Sequence, residues 1–511
     1  GGQLGLGFAA AFVAVVVTTT FAATFARWAV TGRTLGAFAT FATFATFSAL
    51  AACGTGFAFT QFVATFSTAF TSGICAAMSA ANPPATQRFD CVIVGGGMAG
   101  ATCAKYLAMW AKRSGLTVEV TLIDENARYV SCIMSNKVVT GERTLASLSY
   151  GYDTLAAKFG VRFVNAGVTS VDAGNKLVTL STAETLTYDR LILAPGIQFD
   201  YSAVSITAVG MTDEQARAEV PHAWKAGPQT DALRNQLVAL SAGQHVVVTV
   251  PKSPYRCPPG PYERVCVIAD WLKKNKAGSR VIVLDANSGI QAEKVNFGKA
   301  FTTVHANIDY YPNATVAAVN FDAASPSVKT VTLAAPAART NPVTNEVAAT
   351  AESVFTAAVV NLLPQMKGGQ IMLDTLAAVT GAIVSGRWAK INELSYETLV
   401  PAIHVIGDSI ASKQPKAGHI GNQQAKVCAD AILRLETGLQ PYPAPVTNSA
   451  CYTPITSSTA TWLTAIFAYN TVAGEMQVAP PGVIEAPEGP TTQAYSEMGE
   501  WFGELMADTF A

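Results

Sequence analysis

From residue 88 onward, apolar residues come in short continuous runs separated by glycine and polar turns, with amphipathic stretches between them. This is the pattern of buried parallel strands alternating with helices. Phe89 to Val94 reads as a first strand, Met98 to Lys112 as a helix, and Thr117 to Ile123 as a second strand ending at Asp124. The alternation returns with a strand at Gln244 to Val250, a helix at Pro261 to Asn275 and a strand at Ser279 to Asp285. Two further apolar runs close on small residues: Tyr188-Asp-Arg-Leu-Ile-Leu-Ala-Pro-Gly196 and Ile403-His-Val-Ile-Gly-Asp408. The first 87 residues depart from this pattern, being rich in Ala, Thr, Phe and Gly with charges only at Arg27 and Arg33. Leu4 to Ala26 and Thr34 to Gln87 are long enough for two membrane crossings of about 20 residues each. The bias of basic residues would then set the Arg27 to Arg33 connection on the cytoplasmic or matrix side, with the rest of the chain on the periplasmic or intermembrane-space side. An acid-poor, Arg-bearing targeting segment is the alternative reading.

The 511 residues allow two or three domains of ordinary size. The composition shift at Asn82-Pro83-Pro84 and the order of the runs divide them into four parts. Residues 1–87 form the apolar segment, and 88–204 with 365–440 form a discontinuous first α/β domain. Residues 205–364 form a second, Rossmann-like domain, and 441–511 a C-terminal α+β domain. With 34 basic and 35 acidic residues the chain has no charge excess to hold a nucleic acid. Its 50% hydrophobic and 14% charged residues fit a membrane-associated chain.

The chemistry begins at Cys91-Val-Ile-Val-Gly95-Gly96-Gly97-Met98-Ala99-Gly100. Strand, glycine turn, helix, second strand and terminal acid are the succession that binds an adenine dinucleotide, with Gly95, Gly97 and Gly100 shaping the turn and Asp124 accepting ribose hydroxyls. Asp408, closing a strand in Gly-Asp, suits a ribityl hydroxyl of a flavin; a helix cap is its plainer role. In the second strand-helix-strand unit the turn from Pro251 to Pro261 is rich in proline and bulky residues where a pyrophosphate would need glycines. The reading is therefore FAD without NAD(P)H. No Cys-x-x-Cys-His haem site occurs in the sequence, so electrons must leave through another protein or a quinone. Among the nine cysteines, Cys91, Cys103 and Cys428 fall on apolar positions and read as packing residues, and Cys53 and Cys75 lie in the apolar segment. Cys257 follows Arg256 in the proline-stiffened loop just before a helix, a setting that favours a thiolate, with Cys266 a nearby candidate partner. His419 is the histidine best placed to lie near a flavin, and no metal-ligand spacing is present.

Five strings, Tyr129-Val-Ser-Cys-Ile-Met-Ser-Asn136, His222-Ala-Trp-Lys-Ala-Gly227, Arg256-Cys-Pro-Pro-Gly-Pro-Tyr-Glu-Arg264, Val405-Ile-Gly-Asp408 and Cys451-Tyr452, make residues 88–511 resemble the flavoprotein subunit of flavocytochrome c sulfide dehydrogenase, within the pyridine nucleotide-disulfide oxidoreductase superfamily. The resemblance implies two Rossmann-like domains and a C-terminal domain, with FAD held covalently at Cys132. It further implies a redox-active disulfide between Cys257 and Cys451, a flavin-side tryptophan at Trp501, sulfide as substrate and a c-type cytochrome as electron acceptor. The long apolar segment departs from the family and points to a membrane-held assembly. It keeps two other readings open: a sulfide:quinone reductase, and a flavoprotein-like accessory subunit of a membrane complex that does not turn over.

Overall fold

The computed structural model describes residues 88–511, so the two crossings expected within residues 1–87 lie outside the described part. The first sheet grows from β1 (Arg88–Val94), whose Cys91-Val-Ile-Val94 run is buried throughout, as a strand covered on both faces requires. α1 (Met98–Arg113) follows and leads into β2 (Thr117–Asp124). β3 (Arg162–Asn165) and β4 (Arg190–Leu193) extend the sheet on its two sides, all in parallel register, with Val94 opposite both Ile123 and Leu193. The chain leaves this unit along β5 (Ile197–Asp200).

The second parallel sheet consists of β6 (Val246–Val250), β7 (Val281–Asp285), β8 (Ile308–Tyr311) and β9 (Val359–Asn361), with α2 (Gly260–Asn275) crossing from β6 to β7. The chain then returns along β10 (Gln365–Gly368), which pairs antiparallel with β5. β11 (Ile403–Val405) completes the first sheet beside β4. Both strand-helix-strand units thus stand where the apolar runs predict them. The same stretch of chain also carries a mixed sheet of Ser205–Val209, Val316–Asp322, Lys329–Thr340 and Val347–Ala357, its first pair parallel and the others antiparallel, that the sequence reading does not separate. Its strands hold many Ala and Thr and alternate weakly between buried and exposed positions, so they give little period-2 contrast.

α3 (Gly418–Glu436) packs on α1 and is followed by an antiparallel sheet of β12 (Val446–Pro454), β13 (Ala460–Asn470) and Glu475–Val478. α4 (Thr492–Phe510) lies against this sheet and against α1. Its inner face supplies Met498, Trp501, Phe502 and Phe510 to the core of the first unit. Lys105 on α1 fixes the end of α4 by donating to the carbonyl of Ala511 at 2.6 Å. Among the described residues no helix is long and apolar enough to cross a membrane.

Candidate active site

The glycine turn shows why each of its small residues is needed. Gly95 has φ +104, and a Cβ there would run into the carbonyl of Ala194. A Cβ on Gly100 would meet the carbonyl of Gly95, so the helix approaches the turn only because that position is bare. Gly96 is barred in the same way by the Tyr152 ring, whose hydroxyl donates to the Gly96 carbonyl at 3.0 Å. Gly97 differs: a Cβ there would meet nothing nearer than the Tyr129 ring at 4.0 Å, leaving open space at the start of α1. That helix has no side-chain cap, so its first N–H groups are free for an anion such as a pyrophosphate. Asp124 sits beside the turn and accepts from the Gly96 N–H at 2.6 Å. These residues fit an adenine dinucleotide.

The open side of the turn faces a cavity of about 190 Å³. Gly97, Cys132, Cys257, Asp408, Cys451 and Trp501 all line it, although they come from six separate stretches of chain. Gly95, Gly100 and Asp124 do not line it; they shape the turn and its far end. Cys132 accepts from the Ala226 N–H at 3.4 Å, which ties it to the 222–227 loop. Asp408 is not a helix cap: its carboxylate faces the cavity, 3.9 Å from the Arg256 guanidinium. Burial pushes the Asp408 carboxyl upward, against the pull of Arg256 and Lys416. Lys416 is itself pushed down by burial to about 8. His419 also lines the cavity, 6.3 Å from the Trp501 ring. The Trp501 Nε1–H has no protein partner although it is buried, an orphan donor at the cavity wall.

Cys257 sits at φ +59, in the left-handed region that a cysteine rarely adopts. Its N–H donates to the Lys416 carbonyl at 2.6 Å and its carbonyl accepts from the Gly260 N–H at 2.9 Å, which holds it in place. The sulfur lies over Gly260, so close that a Cβ there would be 2.8 Å from it. The 222–227 loop behind it is pinned by Arg264, a fully buried guanidinium bonded to the carbonyls of His222 and Ala223 and to Asn136 and Asn361.

Cys257 and Cys451 line the same cavity and are free thiols here, so the pair expected from the resemblance is brought together without its bridge. Nor does the setting of Cys257 favour its thiolate. Burial first, then the charge of Cys451, push its thiol well up, and the opposing pull of Arg256 is smaller. Burial likewise raises Cys451 to about 12. Cys266 points into the core of the second unit and does not reach the cavity, and Cys91, Cys103 and Cys428 are buried as packing residues.

Sequence reasoning missed Glu263, which lines the cavity and accepts from Asn136 Nδ2 at 2.8 Å. Burial pushes its carboxyl up to about 7. The signal was available, since Glu263 stands three positions after Gly260 on the same face of α2. It also missed the fate of Asp285, the acid closing β7 in the second unit. That carboxylate is fully buried and accepts from Tyr262 at 2.8 Å, Tyr310 at 2.9 Å and the Asn287 N–H at 2.8 Å. Among the described residues no group of acids, histidines or cysteines is arranged to hold a metal.

Residues 89–249 match the family model of the pyridine nucleotide-disulphide oxidoreductases. Residues 230–364 match the central region of the sulfide dehydrogenase (flavocytochrome c) flavoprotein chain. The chain resembles that flavoprotein. The matched stretches cover the glycine turn, Cys132, Cys257 and the second sheet up to β9. In fold, the chain is similar to the sulfide:quinone oxidoreductase of the hyperthermophilic bacterium Aquifex aeolicus, with a TM-score of 0.59 at 16% identity over 82% of this chain and 92% of that one. It is also similar to a chain of the Tetrahymena thermophila mitochondrial ATP synthase, with a TM-score of 0.55 at 12% identity over 84% and 95%. A ferredoxin reductase from Rhodopseudomonas palustris gives 0.51 at 15% over 78% and 90%. At these identities the structures establish a shared fold alone.

Proposed function

We propose that this chain is a flavin-dependent sulfide dehydrogenase that oxidises sulfide at a Cys257–Cys451 pair and passes the electrons to a c-type cytochrome. The observation that carries the reading is the convergence of Cys132, Cys257 and Cys451 on one cavity, at the open end of a dinucleotide turn. FAD would lie with its pyrophosphate at Gly97 and the start of α1, its ribose near Asp124, its ribityl chain near Asp408 and its ring beside Trp501, with Cys132 as the covalent attachment. When bound, it accepts two electrons at once and releases them singly. The chain's own part is to hold the two sulfurs at the wall of one cavity. As a disulfide they offer an electrophile to hydrosulfide, and exchange leaves one sulfur as persulfide and the other as thiolate or thiol.

NAD(P)H does not fit this reading, because Asp285 already takes its hydrogen bonds from Tyr262, Tyr310 and Asn287, and the preceding turn is built of prolines. A c-type cytochrome as acceptor would set the flavin unit on the periplasmic or intermembrane-space side, with residues 1–87 holding the assembly at a membrane. The fold shared with the Aquifex aeolicus sulfide:quinone oxidoreductase favours a second reading in which the acceptor is a quinone. Anaerobic turnover with sulfide as donor separates the two: the proposal expects reduction of cytochrome c at several times the rate seen with a soluble quinone. Quinone reduction alone would move the second reading ahead, and no turnover with either would favour a non-catalytic accessory subunit.

A further inference from the structure

The two sulfurs differ in the charged groups around them. Glu263 pushes both thiols up, but at Cys257, whose sulfur lies over the start of α2, the Gly260 N–H and Arg256 pull the other way, whereas at Cys451 the larger charge is that of a second acid, Glu293. A thiolate expelled at Cys451 would therefore be buried between acids, so the bond opens readily only if that sulfur leaves with a proton. The structure holds a donor behind it. Thr453 follows Cys451 by two positions on β12, on the same face of the strand, and also lines the cavity. Its hydroxyl donates to Oε1 of Glu293 at 2.7 Å. Glu293 is 4% exposed, sits in the left-handed region at φ +48, and leaves its Oε2 with no protein partner. A buried carboxylate with no cation beside it is costly, and a carboxylic acid in that place has a proton to give. The groups facing Glu293 are Thr453 and Cys451 from β12, Thr461 from β13, Glu485 from Ile484–Glu485, and Glu263 and Cys266 from α2.

We propose that Glu293, acting through the Thr453 hydroxyl, supplies the proton to Cys451 when the Cys257–Cys451 bridge is opened. The proposal rests on the sulfur-pair reading above. In the step, hydrosulfide attacks Cys257 Sγ, the S–S bond breaks, and its electron pair goes to Cys451 Sγ. Thr453 passes its hydroxyl proton toward that sulfur and is reprotonated by Glu293. The products are a Cys257 persulfide, a Cys451 thiol and a Glu293 carboxylate, so atoms and charge balance. Burial raises the Glu293 carboxyl to about 8, so the donor form is present at neutral pH and lost above it.

The test uses the full chain with its flavin, oxidised and then mixed with sulfide. Bridge opening is followed by rapid alkylation and mass spectrometry of the Cys257 and Cys451 peptides, not by flavin colour. The expected result is opening that slows above about pH 8 once corrected for the hydrosulfide fraction. E293Q should be slower by roughly a hundredfold near pH 7, with that pH dependence gone. T453V should behave like E293Q and T453S like the parent, with thermal unfolding of all three close to the parent. Parental opening rates and pH profile in E293Q, or a T453S as slow as T453V, would overturn the proposal. If non-reducing peptide maps show that no Cys257–Cys451 bridge forms after oxidation, the sulfur-pair reading fails and this proposal with it.

Discussion

Replacing Gly260 with Ala tests how tightly the Cys257 sulfur is held. The new methyl would lie 2.8 Å from both Cys257 Sγ and the Trp224 ring. That is roughly 1 Å short of an unstrained contact of ~3.5–4.0 Å. Neither neighbour yields freely. The Trp224 Nε1–H donates to the Arg256 carbonyl at 3.1 Å and its ring lies 4.6 Å from the Arg264 guanidinium, while the Cys257 backbone is anchored to Lys416 and to Gly260 itself. Overpacking of this kind costs about 1–3 kcal/mol. The methyl must also displace the sulfur from its seat at the helix start. Urea unfolding of G260A should show a loss in that range, and the rate of alkylation of Cys257 in the reduced protein should change severalfold while that of Cys132 stays near the parent. A G260A protein as stable as the parent, with Cys257 alkylated at the parental rate, would refute the packing described for the loop.

Other outcomes follow from the same structure. G100A should lose most of its flavin, read as the visible absorbance of the purified protein, because its Cβ meets the Gly95 carbonyl; full flavin content would contradict the role of the turn. R264M should lower stability by about 3–5 kcal/mol, measured by urea unfolding, because it strips partners from Asn136, Asn361 and two carbonyls in a fully buried site. Glu263 is protonated in the folded chain up to about pH 7, above the ordinary carboxyl value, so it binds more protons folded than unfolded. It therefore makes stability fall as pH rises from about 4.5 to 7, by up to about 3 kcal/mol. E263Q should remove that fall, and an unchanged pH profile of unfolding would contradict the burial assigned to it. NADH should neither bleach the flavin nor bind at micromolar concentration, and rapid anaerobic bleaching would show that the second unit admits a nucleotide.

How much could be read before the structure depended on the kind of signal. The run from Cys91 to Gly100 and the acid at Asp124 form a local pattern, in which each residue's role is set by neighbours a few positions away, and β1, α1 and β2 stand where it predicts. Asp408 and Cys257 were singled out by their local settings, whereas Cys132, Cys451 and Trp501 were found through motif resemblance, since nothing in spacing alone brings such distant residues to one cavity. The Ala-rich strands between 316 and 357 were not separated because their faces differ too little in polarity. The thiolate expected at Cys257 was inferred from Arg256 and the helix start alone, while burial and the second sulfur, which sequence does not show, act more strongly. Glu263 and Glu293 were passed over for the related reason that an acid looks solvated until its burial is known.

The central claim is that the Cys257–Cys451 pair lets sulfide reduce a flavin bound in this cavity. The most direct measurement is the visible spectrum of the purified protein under anaerobic conditions, before and after sulfide, for the parent and for Cys257→Ser. The account predicts a flavin spectrum in both, bleaching by sulfide in the parent, and none on the same timescale in C257S. A parent whose flavin is untouched by sulfide, or a C257S protein bleached at the parental rate, would contradict it.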